Sequence, residues 1–431
     1  MPFRNHLRYL AETTPDLGLE PFGEYKELQQ EGRILLGCKG EVKRDRVVLD
    51  PTKPVYINYD LSSPNPPNFL ILGKKGSGKT VLATNILHQL YRAFGCYAFF
   101  VDPKADLYSH KHPQSNPDMV HFLNGINLPP SGLPLKIITP LFLRSPKYIH
   151  TDQWYALGMS DFNSLQEFSV RHQMMESILG IHSRENDAPA RKLDELLAMS
   201  PKSFAEMTND LTVLNEKRQW KSVTILDTNL KQRLRNSVLA DGHGVDIVEM
   251  MQSNIVVLQC SLATGELMNA TYVAFALAQI KDGFEAGRFK GKRVCIGIDE
   301  ADTLVPSGSA NPPSKPFVHQ MYTKWRSEGA SCMLLAQDPS TLSEIPILQS
   351  DFIITPRVTY NGGDYKLIQA MFPNVAMKGI LAYQLTKMYS GEMYPKEWAV
   401  IDQDQKVQMF FPFPSPSMTP PAKREFAEVS E

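Results

Sequence analysis

The chain has 431 residues, of which 42% are hydrophobic and 21% are charged, and its formal net charge is -1. This composition excludes an intrinsically disordered chain and provides enough apolar residues for one enlarged α/β core. The nearly balanced charge means that any surface for a polyanion such as nucleic acid must be local.

Cysteine spacing and hydropathy exclude two further classes of protein. The five cysteines lack the spacing of zinc ligands, and we interpret them as small buried residues of a reducing compartment. The N-terminal residues lack the apolar segment of a secretion signal, and no stretch approaches the roughly 18 apolar residues that a membrane helix needs. We therefore expect no membrane insertion and a cytoplasmic location, which would be the host cytoplasm for a viral or plasmid-borne protein.

The first 60 residues are predicted to form a helix and a small β module. Residues 1–31 favour a helix, and three short β-rich runs follow at Arg33–Gly37, Arg46–Leu49 and Val55–Tyr59. Because glycine and proline separate these runs, we interpret 1–60 as an N-terminal helix plus an antiparallel entry module.

Apolar runs with helical stretches between them then predict a mainly parallel sheet covered by helices on both faces. The runs are Phe69–Leu72, Tyr97–Val101, Ile255–Leu258, Val294–Ile298, Met333–Leu335 and Phe352–Ile354. The predicted core therefore comprises residues 61–140 and 251–412, and the fold class is α/β.

Three further segments complete the predicted layout. Residues 141–250 are interpreted as an inserted helical subdomain, in which leucines at positions 226, 230 and 234 recur on one helix face. Trp398–Ile401 and Val407–Phe411 are predicted to form a terminal hairpin. Residues 413–431 are Pro/Ser-rich and then charged, and are expected to be a disordered tail.

The strongest motif is a glycine-rich loop that matches G-x-x-x-x-G-K-[ST] in full. An apolar run precedes it, and a helical pattern with apolar residues every fourth position follows it. Such glycines let successive backbone N–H groups face one anion at a helix N-terminus, whereas a Rossmann site would need a third glycine. The lysine is expected to contact the β- and γ-phosphates of a nucleoside triphosphate, and the threonine to bind Mg²⁺. The loop comprises Gly73, Lys74, Lys75, Gly76, Ser77, Gly78, Lys79 and Thr80.

An acid pair follows the run Val294–Ile298 and is a candidate for the second half of this site. We expect its strand to neighbour the P-loop strand, so that Asp299 binds the metal and Glu300 acts as the general base for a water molecule. The sequence alone leaves open that the two acids merely begin the next helix as N-cap residues.

Four other residues have weaker signals. Asp102 and Lys104 follow the second predicted strand, at an edge where α/β sheets bind ligands, but a plain turn is equally consistent. Gln337 follows a strand and either senses the γ-phosphate or is an ordinary loop residue. Arg326 is either an arginine finger for a neighbouring subunit or a solvated arginine at a helix end.

Taken together, these motifs resemble the HerA/FtsK superfamily of P-loop motor ATPases. The motifs are Gly76–Thr80, Val101–Lys104, Ile298–Asp302, Arg326–Gly329, Leu335–Ser340 and Ile354–Val358, in the family's order. The resemblance implies a RecA/ASCE-like P-loop NTPase fold, ATP as the nucleotide, Gln337 as a sensor, and Arg326 as the trans-acting finger, with Arg357 as the alternative.

The resemblance also implies a function. Members of the superfamily form rings, usually hexamers, and move double-stranded DNA in genome packaging, conjugation or DNA processing, in some cases with a virion, portal or secretion partner protein. Alternatives that remain open are a protein-secretion motor with the same core and a nucleotide-dependent switch. The candidate DNA contacts are Lys111, Lys147, Lys202, Lys221 and Lys315.

Overall fold

The computed structural model describes residues 32–43, 46–60, 63–125, 128, 130–145, 148, 150–164, 168–181, 188–218, 221–260, 266–308, 310–356, 397–404 and 406–418. These ranges contain twelve strands, numbered here in chain order. They are β1 (Arg33–Lys43), β2 (Arg46–Asn58), β3 (Phe69–Leu72), β4 (Tyr97–Asp102), β5 (Leu135–Pro140), β6 (Gln153–Tyr155), β7 (Ile255–Gln259), β8 (Val294–Ile298), β9 (Ala330–Ala336), β10 (Phe352–Pro356), β11 (Trp398–Asp402) and β12 (Val407–Pro412).

The same ranges contain twelve α-helices and three short 3₁₀ segments. The helices are α1 (Lys79–Arg92), α2 (Pro117–Gly125), α3 (Met159–Ser164), α4 (Phe168–Leu179), α5 (Ala188–Ala198), α6 (Phe204–Arg218), α7 (Lys221–Arg235), α8 (Ile247–Met251), α9 (Glu266–Glu285), α10 (Ala301–Leu304), α11 (Ser314–Thr323) and α12 (Glu344–Gln349). The 3₁₀ segments are Leu107–Lys111, Leu141–Leu143 and Trp325–Glu328.

All twelve strands belong to one mixed sheet in the order β2-β1-β12-β11-β10-β3-β9-β8-β4-β7-β5-β6. The eight strands from β10 to β6 run parallel, and the four from β2 to β11 form an antiparallel wing. The expectation of a mainly parallel α/β sheet is therefore confirmed. Parallel strands share one direction, so β3, β4, β8 and β9 end at a common edge, which we call the carboxyl edge; the opposite edge is the amino edge.

Strand β3 shows how the sheet is buried on both faces. Its four residues are all buried, and alternate side chains point to opposite faces. Phe69 and Ile71 pack in one cluster with apolar residues of α1, whereas Leu70 and Leu72 pack in another with residues of α9 and α11. Each fully buried side chain of this size contributes about 2 kcal/mol of transfer free energy, which holds the strand that leads into the glycine-rich loop.

The predicted insert is largely helical, but it also contains strand β6, and strand β5 lies directly before it; the sequence predicted neither strand. Strand β5 alternates poorly because a half-exposed Lys136 interrupts its apolar run, and β6 has only three residues. On α7, Leu226 and Leu230 are fully buried, and the helix ends at Arg235. Apolar residues of α4 to α7 join the core cluster on one face of the sheet instead of forming a separate core.

The chain ends of the described part also join the main sheet. The predicted entry module is a hairpin of β1 and β2, which pairs with the predicted terminal hairpin of β11 and β12. Phe413, Ser415 and Ser417 are buried, so the first residues of the expected disordered tail pack against the protein. The predicted helix within 1–31 and the remainder of the tail, 419–431, lie outside the described residues.

Two sequence expectations about side chains can be compared with the structure directly. All five cysteines are buried and unpaired, as predicted. None of the described helices combines the length and the apolar character that crossing a bilayer requires.

Candidate active site

The glycine-rich loop lies at the carboxyl edge, between β3 and α1. Its glycines have positive φ angles, which are 146° at Gly73, 76° at Gly76 and 97° at Gly78. A Cβ atom at Gly73 would lie 2.6 Å from Ser77 Oγ, so the loop excludes a side chain there. Gly78 directly precedes α1, and the first N–H groups of this helix have no intrahelical partners. A loop of this shape at the N-terminus of a fourteen-residue helix is suited to binding phosphate.

Lys79 and Thr80 begin α1 and approach the acid pair from the loop side. Lys79 is buried and donates a hydrogen bond to the carbonyl oxygen of Gly73. Burial lowers the pKa of its ammonium group, and the nearby carboxylate of Asp299 opposes this shift. Thr80 Oγ1 lies 3.5 Å from Asp299 Oδ2, so a hydroxyl and a carboxylate converge beside the glycine-rich loop.

The acid pair follows β8 directly. Asp299 is 1% exposed, and its Oδ1 accepts the N–H of Glu300 at 2.8 Å. Glu300 has a φ of 52°, a left-handed conformation that costs about 1 kcal/mol for a residue with a side chain. Glu300 precedes α10 but its side chain makes no capping hydrogen bond. Glu300 thus occupies the N-cap position of α10, as the alternative holds, but its side chain does not cap the helix.

Glu300 instead points toward the end of β9. Gln337, the first residue after that strand, donates its side-chain N–H to Glu300 Oε2 at 2.6 Å. Burial raises the pKa of Glu300, but hydrogen bonds from Lys104 and Gln337 outweigh burial and leave the pKa below its ordinary value. The carboxylate is therefore ionised at neutral pH, as a general base must be.

The order of the strands explains the position of Gln337. Strand β9 lies between β3 and β8 and pairs with both, so the expectation that the acid-bearing strand neighbours the P-loop strand is wrong. The N–H of Gly73 donates to the carbonyl of Ala336 at 3.1 Å, which joins the start of the loop to the end of β9. The intervening strand thus places Gln337 between the glycine-rich loop and Glu300.

The structure brings Lys104 into contact with the acid pair, whereas the sequence left a ligand-binding position and a plain turn equally open for it. Lys104 Nζ lies 2.9 Å from Asp299 Oδ2 and 2.6 Å from Glu300 Oε1. Asp102 is buried and accepts the backbone N–H groups of Lys104 at 3.1 Å and Leu107 at 2.9 Å, and burial raises its pKa to about 7. The available signal was the position of Lys104 just after a strand, but adjacency of β4 and β8 cannot be seen in the sequence.

Arg326 lies at the amino edge, on the 3₁₀ segment that leads into β9. A seven-residue strand spans about 20 Å, so Arg326 is remote from the glycine-rich loop of its own chain. Its Nη2 donates to Asp351 Oδ1 at 2.6 Å and its Nε donates to the carbonyl of Pro66 at 3.0 Å. The alternative finger, Arg357, lies outside the described residues.

The residues present fit a magnesium ion bound together with a phosphate ligand. Mg²⁺ prefers hard oxygen ligands and is held in such sites by few protein groups plus phosphates and water. Thr80 Oγ1 and Asp299 Oδ2 are ligands of this kind. Within the described ranges, no group of three or more His, Cys, Asp or Glu side chains forms a closed metal cage.

Solved structures with similar architecture identify the fold. VirB4 of Thermoanaerobacter pseudethanolicus is 13% identical, with a TM-score of 0.53 over 89% of this chain and 96% of that one. The bacterial conjugative coupling protein TrwBdeltaN70, in its trigonal form with sulphate, is 14% identical, with a TM-score of 0.52 over 95% of this chain and 99% of that one. At such identities the likeness concerns the fold alone, and it confirms the expected α/β fold of a P-loop NTPase.

Other comparisons add little. The genome packaging NTPase B204 from Sulfolobus turreted icosahedral virus 2, in complex with ATP-gammaS, is 12% identical over 81% of this chain and 99% of that one. Its TM-score of 0.37 is too low to support a conclusion about the fold. The sequence matches no family model and no curated protein.

Proposed function

We propose that this chain, which has the fold of the P-loop motor ATPases, hydrolyses ATP and uses the energy to translocate double-stranded DNA as a ring of identical subunits. The observation that carries the proposal is the convergence of Thr80, Asp299, Glu300 and Gln337 beside a glycine-rich phosphate loop. The sequence resemblance supports a motor and DNA as its substrate.

The roles of the residues follow from their positions. The loop from Gly73 to Thr80 would hold the phosphates through its backbone N–H groups, and Lys79 would place a positive charge beside them. Thr80 and Asp299 would hold Mg²⁺, which neutralises phosphate charge.

The hydrolytic step depends on Glu300 and Gln337. Glu300 would accept a proton from the attacking water, and Gln337 orients the Glu300 carboxylate through the bond between their side chains. Loss of the γ-phosphate would then change the contacts that this group makes with Gln337 and the phosphate loop, which is how such motors convert hydrolysis into movement.

Candidate DNA contacts can be narrowed by their local partners. Lys111 forms an ion pair with Asp152 at 2.7 Å, and Lys315 donates to the carbonyl oxygens of Gly308 and Ala310. Lys202 and Lys221 are exposed on the helical insert, so we propose these two as phosphate contacts. Lys147 lies outside the described residues.

Steady-state ATP hydrolysis with and without linear double-stranded DNA tests the proposal. We expect activity that rises several-fold with DNA, that loses this stimulation as salt concentration increases, and that disappears in Lys79→Ala and Glu300→Gln. Lys290→Ala, an exposed lysine beyond the C-terminal end of α9, is the matched control and should retain full activity.

The same measurement separates the proposal from its alternatives. Hydrolysis that both site variants abolish but that DNA does not affect would contradict DNA translocation and favour a protein-secretion motor. Nucleotide binding with negligible turnover in the wild type would favour a switch.

A further inference from the structure

The side chain of Lys104 lies between the two carboxylates on which hydrolysis depends. Lys104 follows β4 by two residues and the acid pair follows β8, and these two strands are paired so that Val101 lies opposite Ile298. Its ammonium group is 2.9 Å from Asp299 Oδ2 and 2.6 Å from Glu300 Oε1. One cation therefore bridges the proposed metal ligand and the proposed general base.

The bridge uses the oxygen that the metal would need. Asp299 Oδ1 accepts the backbone N–H of Glu300 at 2.8 Å, which leaves Oδ2 as the oxygen that faces the phosphate loop. Thr80 Oγ1, the other proposed metal ligand, approaches this same Oδ2 at 3.5 Å. Lys104 and a metal ion at Thr80 and Asp299 thus require the same oxygen atom.

Several features of the backbone hold Lys104 in this place. The buried carboxylate of Asp102 accepts the N–H groups of Lys104 and Leu107, which fixes the turn after β4. Ala105, the next residue, has a φ of 58°, an uncommon left-handed conformation for a residue with a side chain. The Lys104 side chain remains 32% exposed, so its four-carbon stem has room to move while its backbone stays fixed.

We propose that Lys104 is a positioning residue that competes with Mg²⁺ for Asp299 Oδ2. The carboxylate of Asp299 is then released from Lys104 only when metal and nucleotide bind together. A lysine cation and a divalent ion repel each other strongly at the few ångströms that separate two partners of one oxygen. Lys104 must therefore leave Asp299 when the metal binds there, while its bond to Glu300 can persist. This inference rests on the proposed nucleotide site.

The proposal predicts how the metal requirement responds to substitutions of Lys104. Lys104→Met keeps most of the apolar stem but removes the cation, so the metal no longer displaces a charge-assisted hydrogen bond. Such a bond changes an equilibrium by about tenfold, so the Mg²⁺ concentration that half-saturates nucleotide binding should fall by about tenfold. Lys104→Arg keeps the charge and should stay within about threefold of the wild type.

The experiment titrates Mg²⁺ against a fluorescent, non-hydrolysable ATP analogue at fixed concentration, so that binding is read independently of hydrolysis. Wild type, Lys104→Met, Lys104→Arg and the control Lys290→Met are compared, with thermal unfolding of each variant as a check on the fold. A lowered Mg²⁺ midpoint in Lys104→Met alone supports competition. An unchanged midpoint would assign Lys104 a structural role, and a raised midpoint would make it a phosphate ligand; either result overturns the proposal.

Failure of the proposed function gives a different pattern. If the wild type binds the analogue equally well with Mg²⁺ and with a chelator, the metal-dependent nucleotide site itself is wrong. If the wild type shows metal-dependent binding and only the expected difference between Lys104→Met and the wild type is missing, the site stands and the role of Lys104 is wrong.

Discussion

Replacement of Arg326 by alanine tests both the local packing at the amino edge and the proposed arrangement of subunits. In its own chain, Arg326 donates one bond to Asp351 at 2.6 Å and one to the carbonyl of Pro66 at 3.0 Å. Asp351 keeps the N–H of Asn68 at 2.7 Å when the arginine is removed. We expect Arg326→Ala to lower the free energy of unfolding by about 2 kcal/mol, the cost of losing two hydrogen bonds from one guanidinium group at a partly exposed site.

The stability change is measured by urea denaturation of Arg326→Ala and Arg326→Lys beside the wild type. A lysine can keep the ion pair but not both hydrogen bonds, so its loss should be about half as large. If the alanine variant lowers the free energy of unfolding by less than about 0.5 kcal/mol, the ion pair contributes no more than an exposed surface pair does. That result would contradict the expectation drawn from the burial of Asp351.

The same variant tests whether the arginine acts on a neighbouring subunit. Arg326 is too far from the phosphate loop of its own chain, so as a finger it can only serve an adjacent site. Arg326→Ala and Lys79→Ala should each be inactive alone. A one-to-one mixture should recover about a quarter of the wild-type rate, because in a head-to-tail ring that fraction of interfaces joins an intact loop to an intact arginine.

Two results would refute this reasoning. Folded Arg326→Ala that keeps wild-type ATPase activity would leave Arg326 with a structural role only. Inactive variants that recover nothing when mixed, although light scattering shows that they form mixed rings, would mean that the arginine does not act across the interface. Arg357 would then be tested by the same mixing experiment.

Three further predictions concern the stability of the folded chain and the orientation of Glu300. Burial holds the pKa of His88 at about 3, below the unfolded value near 6.5, so the free energy of unfolding falls as pH decreases from 7 to 5. His88→Leu should make that decrease smaller by about 2 kcal/mol in urea denaturation. An unchanged decrease would contradict a neutral buried histidine. Gly297→Ala places a Cβ atom 2.2 Å from Phe100 in the strand that leads to the acid pair. It should therefore lower the free energy of unfolding by about 2 kcal/mol and reduce ATPase activity. A variant with wild-type stability and activity would contradict this packing. Gln337→Leu removes a hydrogen bond that orients Glu300. It should therefore lower kcat by about a hundredfold and leave KM within about threefold of the wild type. A change in KM alone would instead assign Gln337 to nucleotide binding.

The parts of the site that the sequence predicted are local. The strand, glycine-rich loop and helix around Lys79 follow one another along the chain, and the glycines are needed where φ is positive, so one motif specified the conformation of the loop. Asp299 and Glu300 were found in the same way, because a buried apolar strand must end where charged residues begin.

The parts that the sequence did not predict depend on which strands become neighbours. The contact between Lys104 and Glu300 requires β4 to pair with β8, and the position of Gln337 requires β9 to lie between β3 and β8. No local pattern encodes either arrangement. Strand β5 escaped prediction for a different reason, since Lys136 breaks an apolar run that is only six residues long.

The most direct test of the central claim measures movement along DNA and not hydrolysis alone. A labelled third strand is annealed to a linear duplex, and its displacement by the protein is followed by fluorescence with ATP, with a non-hydrolysable analogue and with Glu300→Gln. We expect displacement only by the wild type with ATP, with a delay that grows with the distance between the duplex end and the third strand. Wild-type protein that hydrolyses ATP under the same conditions but never displaces the strand would contradict the claim that this chain is a DNA translocase.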